Sequence, residues 1–162
     1  MYLIREKLFR LGDRAEITDE SGTTVLSVDG PAFSLRNRLV LRDPAGTAVA
    51  EVHRRLATLR PTYQITVSGE RVAEVRKRSF SPLGARFTVD VAGPDQLDIV
   101  GDLLGHEFTI RRGGHTVATV SKRWFSVHDT FGVQVAPGQD DLLILATVLA
   151  LNIAEDQDRA QR

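Results

Sequence analysis

The chain has 162 residues, of which 21 are basic and 21 acidic, giving a formal net charge of zero, and it has no cysteine. That balance leaves no global field to draw the protein to nucleic acid or to an anionic membrane, so any such partner must be met by a local patch. Without cysteine there are no disulfides, no thiolate catalysis and no Cys-based zinc or iron–sulfur site, and the 42% hydrophobic and 26% charged residues fit one globular domain with a sizeable core.

Taken in chain order, the N-terminal stretch Met1–Ile17 places charges among its apolar residues and lacks a signal-peptide core, which predicts a cytoplasmic chain. A first strand is read over Tyr2–Phe9, and hairpins follow. Arg14–Thr18 and Thr23–Val28 flank Asp19-Glu20-Ser21-Gly22, and Arg38–Arg42 and Thr47–His53 flank Asp43-Pro44-Ala45-Gly46. Thr62–Val67 and Arg71–Lys77 are joined by Ser68-Gly69-Glu70, Ala85–Val91 and Gln96–Gly101 through Gly93-Pro94, and His106–Arg111 and His115–Lys122 across Arg112-Gly113-Gly114. Gly, Pro, Ser and Asp at these junctions are the residues short hairpin loops require. With Phe131–Ala136 the pattern amounts to about twelve strands.

The chain then changes character. Between Leu142 and Leu151 every residue of Asp140–Ala154, DDLLILATVLALNIA, is apolar except Thr147. A helix apolar on all sides must be buried on all sides, and the run is shorter than the roughly 20 residues that span a bilayer. Asp140 and Asp141 follow Pro137-Gly138, where carboxylates accept the unpaired amides of a helix start. Asn152 is read as the polar break at which the chain leaves the core. The domain is therefore set at residues 1–154, with 155–162 as a polar tail.

A weak repeat, V-(A/L)-x-V, runs through Val25–Val28, Val49–Val52, Val72–Val75 and Val117–Val120. Strand residues two apart share a face, so Leu26 with Val28, Ala50 with Val52, Ala73 with Val75 and Ala118 with Val120 form same-face pairs. Small residues on that face suit a wall packed against a helix, and closing the sheet removes its exposed edges. The predicted architecture is all-β with one helix: a closed antiparallel barrel around a central hydrophobic C-terminal helix.

At this point the residues resemble a family. LGDRAEITDESGTTVLSVDG, LRDPAGTAVAEVHRRLATLRPTYQI, GHEFTI, VSKRWFSVHDTFGV and DDLLILATVLALNIA, in that order from about Tyr2 to Ile153, look like the LURP-one-related family. That family belongs to the Tubby C-terminal-like superfamily, with the phospholipid scramblases as relatives. The resemblance implies a twelve-stranded barrel around a hydrophobic helix. For function it implies two precedents, phosphoinositide binding through basic side chains in Tubby domains and action on membranes in scramblases.

The candidate site is basic. Arg54 continues the face of Ala50 and Val52, Lys77 that of Ala73 and Val75, and Lys122 that of Ala118 and Val120. Strand period points these three toward the barrel axis at one rim, with Arg55, Arg76, Arg78 and Arg123 beside them. Converging Arg and Lys donors suit an anion such as a phosphate. The same bases would equally cap the helix C-terminus, whose open carbonyls carry partial negative charge, or pair with surface carboxylates. Trp124, within Arg123–Ser126, is read as a cover over one end of the core in preference to an interfacial anchor.

No cofactor or metal site is expected. His53, His106, His115 and His128 show no metal-ligand spacing, Ser21, Ser68 and Ser121 lie in no nucleophile elbow, and Gly113-Gly114 reads as a turn and not a phosphate cradle. Asp98 and Asp102 are a carboxylate pair of the kind any strand-rich surface offers. The sequence thus favours a non-catalytic binding or scaffold module recognising an anionic ligand, such as a phospholipid headgroup, or a protein partner. It is expected to bind no nucleic acid and to make no stable membrane insertion, though it is placed near the membrane periphery; the alternative is a scramblase-like protein acting on phospholipids.

Overall fold

The hairpins read from the sequence become the wall of a barrel in the computed structural model, which describes residues 1–5, 15–29, 38–56, 58–81, 84–91, 96–103, 105–124 and 130–160. In chain order the strands are β1 (Tyr2–Arg5), β2 (Ala15–Asp19), β3 (Thr24–Asp29), β4 (Arg38–Arg42), β5 (Ala48–Arg54) and β6 (Thr62–Val67). They continue as β7 (Glu70–Ser81), β8 (Gly84–Val91), β9 (Gln96–Asp102), β10 (Glu107–Arg112), β11 (His115–Ser121) and β12 (Thr130–Val135), before the helix α1 (Asp141–Ala160). Each strand pairs antiparallel with its neighbours in sequence. The circle closes through β1 and β12, with Tyr2 opposite Val133 and Arg5 opposite Thr130. The sheet is therefore the twelve-stranded closed barrel the alternation predicts, with no edge left open among these strands.

The sequence repeat has a structural meaning. In each of its four hairpins the second residue of the motif sits opposite a buried aliphatic residue: Leu26 opposite Ile17, Ala50 opposite Leu41, Ala73 opposite Ile65, and Ala118 opposite Ile110. Immediately beyond that pair, toward the turn, the register shifts in all four hairpins. Such bulges increase local twist and help a sheet curl. The fourth residue of each motif also faces inward, and Val28, Val52, Val75 and Val120 are buried.

Two turn designs connect the repeated hairpins. Asp19 and Asp43 each open a turn whose glycine amide, Gly22 or Gly46, donates to the aspartate carbonyl, while the side chain accepts from the Thr23 or Thr47 amide. Ser68-Gly69 and Gly113-Gly114 instead carry positive φ at both positions, at 51° and 83° and at 54° and 82°. That is the pattern of tight turns whose twist matches the flanking strands.

Strand limits shift where side chains intervene. β10 starts at Glu107 and not His106, because His106 has a φ of 49° and its amide bonds the Leu103 carbonyl in a turn. β11 stops at Ser121 because the Glu107 carboxylate takes the amides of Lys122 and Arg123. β7 runs on to Ser81, past the expected Lys77. The later part of the strand read over Tyr2–Phe9 lies outside the described residues.

The helix threads this wall. Asp140 caps it, its Oδ1 accepting from the Leu143 amide at 3.1 Å and its carbonyl from the Ile144 amide at 3.0 Å. Every residue from Leu143 to Glu155 is buried, whereas Leu142, expected inside, is only half-buried at the entrance. The strands nearest the helix are β5, β6, β7 and β12, and the alanines Ala50 and Ala73 lie on two of them. The helix is longer than expected. Asn152 does not release the chain: it stays buried, and the segment read as a polar tail continues as helix to Ala160. Twenty residues make roughly 30 Å of helix. Six-residue strands such as β3 give about 20 Å of wall. The last turns of α1 therefore reach beyond the wall. Among the described residues, no helix is long and apolar enough to cross a membrane.

Candidate functional site

Threading gives the barrel two distinct ends. At the turn end the Tyr2 hydroxyl donates to Asp141 at the start of α1, an interaction that pushes the phenol up to about 12, and Arg112 Nη1 donates to Gln139 Oε1 at 2.9 Å. At the exit end Arg54 Nη1 and the Tyr63 hydroxyl both donate to Gln157 Oε1, at 2.7 and 2.8 Å, near the end of α1. Burial pushes the Tyr63 phenol up to about 12 as well, with the Arg54 charge opposing the rise. The even-to-odd hairpin turns lie at the turn end. The longer connections, including Arg55–Pro61 and the chain after Ser121, lie at the exit end.

Arg54, Lys77 and Lys122 all fall on the exit side. Arg54 is engaged with Gln157, the Lys77 side chain is 5% exposed on the barrel interior, and Lys122 is half-buried with its backbone amide bound by Glu107 Oε1 at 2.9 Å. Their strands stand apart around the barrel: β5 and β7 flank β6, while β11 lies on the far side. Of the neighbouring bases, Arg55, Arg76 and Arg123 are exposed, and the side chain of Arg78 lies outside the described residues.

More prominent at this end are apolar side chains turned to water. The connection between β5 and β6 is held by its own backbone: the Arg55 amide donates to the Thr62 carbonyl at 2.9 Å, and the Thr58 and Thr62 hydroxyls donate to the Arg60 carbonyl at 2.8 and 3.0 Å. The loop presents Leu56 and Leu59 at 71% and 106% exposure, between Arg54-Arg55 and Arg60. Across the barrel mouth Trp124, read from the sequence as a cover over one end of the core, is 39% exposed beside Lys122 and Arg123. Sequence reasoning passed over the two leucines. Their signal was available: RRLATLRP, apolar residues outside any strand alternation and bracketed by arginines.

The Glu107 carboxylate organises the Trp124 side. It accepts from the Ser121 hydroxyl at 2.8 Å and from the Lys122 and Arg123 amides at 2.9 and 3.1 Å. Burial opposes its ionisation, but the Ser121 hydroxyl, the two amides and the Arg123 charge together hold it below the ordinary carboxylate value.

A second polar cluster lies on the outer wall. Glu74 points outward from β7 between the inward Ala73 and Val75, and its side chain is only 8% exposed. Arg76 Nε lies 2.6 Å from its Oε1, while Nη1 of Arg55 and of Arg71 lie 3.7 and 3.9 Å from Oε2. Arg76 also stands 3.7 Å from Asp90 on β8. Burial raises the Glu74 pKa, but the hydrogen bond and charge of Arg76, a Gln64 hydrogen bond and the Arg55 charge outweigh it, and the group sits below its ordinary value. These side chains line an open cleft of about 400 Å³.

The remaining sequence candidates do not converge. The Asp102 side chain accepts the Gly105 amide at 3.1 Å, a local turn bond, while Asp98 lies further back on the same strand, β9, opposite Arg111 and Thr88. His53, His106 and His115 lie on different parts of the wall, with His106 stacked on Phe131 at 4.5 Å, and His128 lies outside the described residues. Among the described residues no three His, Asp or Glu side chains group as metal ligands do.

Comparison with known proteins agrees with this architecture. The chain is 29% identical over 160 residues to the uncharacterised protein YxjI of Bacillus subtilis, covering 97% of this chain and 96% of that one. It is 24% identical to protein LURP-one-related 15 of Arabidopsis thaliana, over 99% of this chain and 82% of the plant protein. An X-ray structure of an Arabidopsis thaliana protein superposes with a TM-score of 0.69 at 20% identity, covering 97% of this chain and 90% of that one, a likeness of fold. The LURP-one-related family model matches residues 1–152. With the closed barrel, the threaded helix and a match over almost its whole length, the chain belongs to the LURP-one-related family.

Proposed function

We propose that this protein is a non-catalytic binding module that docks the exit end of its barrel against an anionic phospholipid surface. The observation that carries the reading is the pairing of exposed Leu56, Leu59 and Trp124 with Arg60, Lys122 and Arg123 on opposite sides of one barrel mouth. A flat surface meets both sides of a rim at once, and a lipid interface accepts apolar tips while its headgroups attract the bases beside them. Burying a leucine side chain contributes about 1.5–3 kcal/mol, and each base near an anionic leaflet about 1 kcal/mol. The two contributions are of similar size, so neither alone should suffice.

Described bases at this end, leaving aside Arg55, which is turned to Glu74 on the outer wall, also outnumber the carboxylates: Arg5, Arg38, Arg54, Arg60, Lys77, Lys122 and Arg123 stand against Asp29, Asp102, Glu107 and Glu155. This local excess exists within a chain of zero net charge. The reading places the protein in the cytoplasm at the membrane periphery. A scramblase-like action is the lesser reading, since the apolar helix it would employ is enclosed by the barrel.

The test is flotation of the pure protein with vesicles of phosphatidylcholine alone and with added phosphatidylglycerol. The expected result is co-flotation with the anionic vesicles only, weakened as salt screens the bases over about 8–10 Å. A protein that ignores both vesicles contradicts the proposal, and leaflet mixing would favour the scramblase reading.

A further inference from the structure

We propose that the outer-wall cleft lined by Arg55, Arg71 and Arg76 is a binding site for a phosphate-bearing ligand, separate from the docking end. The three guanidinium groups converge on a carboxylate that is itself nearly buried, so the cluster is built into the wall and is not a scatter of surface charge. Arg76 is fixed by a 2.6 Å bond to Glu74. Arg55 and Arg71 are not fixed in this way: their separations from Glu74, 3.7 and 3.9 Å, exceed hydrogen-bond reach. Glu74 thus draws both guanidinium groups toward the cleft electrostatically without using their N–H donors.

Charge counting agrees with an anionic occupant. Three arginines face Glu74 and Asp90, which leaves one positive charge uncompensated within the cleft. A phosphate group offers several oxygen acceptors, and the planar arginine fork matches two of them at once. The volume, about 400 Å³, is that of a small-molecule site and far exceeds a single ion. The apolar side chains Val72 and Val91 on the lining leave room for an uncharged portion of the ligand beside the phosphate.

The ligand chemistry could arrive as a soluble phosphate ester or as a phosphomonoester lipid headgroup, and the experiment separates them. The full chain is titrated calorimetrically with pyrophosphate, and the titration is repeated in the presence of vesicles containing phosphatidic acid. Saturable binding with one site per chain is expected. Arg71→Gln and Arg55→Gln should each weaken it about tenfold, the loss of one charge-assisted interaction, with melting temperatures unchanged. Leu56→Ser/Leu59→Ser should leave pyrophosphate affinity unchanged even where it abolishes vesicle binding, so the two proposals fail separately. Displacement of pyrophosphate by the vesicles identifies a lipid source, and undisturbed binding a soluble one. No saturable binding to the wild type, or wild-type affinity in both arginine variants, overturns the site.

Discussion

At the turn end of the barrel, side chains are spent on holding the helix: Asp140 caps it, Tyr2 ties β1 to Asp141, and Arg112 reaches Gln139. At the exit end, Arg54 and Tyr63 hold Gln157, but the same rim turns Leu56, Leu59 and Trp124 toward solvent. The charges differ too, with Asp19, Glu20, Asp43, Glu70, Asp140 and Asp141 gathered where the tight turns are. One end is closed by hairpin turns of fixed chemistry, while the other includes longer connections, such as Arg55–Pro61, that carry exposed side chains. Binding residues are expected on such connections, because loops vary without disturbing the scaffold that positions them.

The comparison can be broken most severely through the element both ends share. Deleting residues 140–162 should abolish cooperative melting. Each buried Leu, Ile or Val of α1 contributes about 1.5–3 kcal/mol, and together they are comparable to the roughly 5–15 kcal/mol of a typical domain. A truncated chain with a sharp thermal transition would mean that the wall is stable without the helix.

Smaller changes separate the ends. Tyr2→Phe should cost about 1–3 kcal/mol by stranding its partner, and Asp140→Ala about 0.5–2 kcal/mol by removing the cap. Leu56→Ser/Leu59→Ser, at the other end, should stay within about 0.5 kcal/mol of wild type. Denaturant titrations of the three variants check the contrast. A large loss from the leucine variant would make that loop structural.

The middle of the helix offers a further test. Thr147 is fully buried, and its Oγ1 has no hydrogen-bond partner among the described residues. Thr147→Val removes a desolvated hydroxyl at nearly constant shape and should stabilise the protein by about 1 kcal/mol. The measurement is the shift in the denaturant midpoint.

The smallest effect is in pH. Glu74 and Glu107 both sit below their ordinary value of 4.5 in the folded chain. A depressed carboxyl favours the fold above its unfolded pKa and loses that contribution as pH falls through the folded value. Stability should therefore be flat above about pH 5 with respect to these groups and decline below 4.5. Glu74→Gln and Glu107→Gln should each flatten the acid limb of a melting-temperature profile.

Most of the fold could be read from the sequence because it rests on periodicity. Alternation set the faces of Ala50, Val52, Ala73 and Val75, and the uninterrupted run after Asp140 could only be an interior helix. The helix end was misread because Asn152 and Glu155 are polar, and polarity ordinarily marks the surface; here both are buried in the last enclosed turn. The basic rim was legible as a direction along each strand but not as a set of contacts. Lys77 is enclosed, and Arg54 is occupied by Gln157, a residue 103 positions away. The outer-wall cluster was less legible still, since it joins Arg55 to Glu74 across an intervening strand and no local pattern records that pairing.

Trp124 is the chain's single tryptophan and it stands on the exit rim, so its fluorescence reports on that end directly. Adding vesicles containing phosphatidylglycerol should shift its emission to the blue, and brominated acyl chains in those vesicles should quench it. Leu56→Ser/Leu59→Ser should remove both effects at an unchanged melting temperature. If the protein binds the vesicles with no change in Trp124 emission, or does not bind them at all, the exit end is not the docking face.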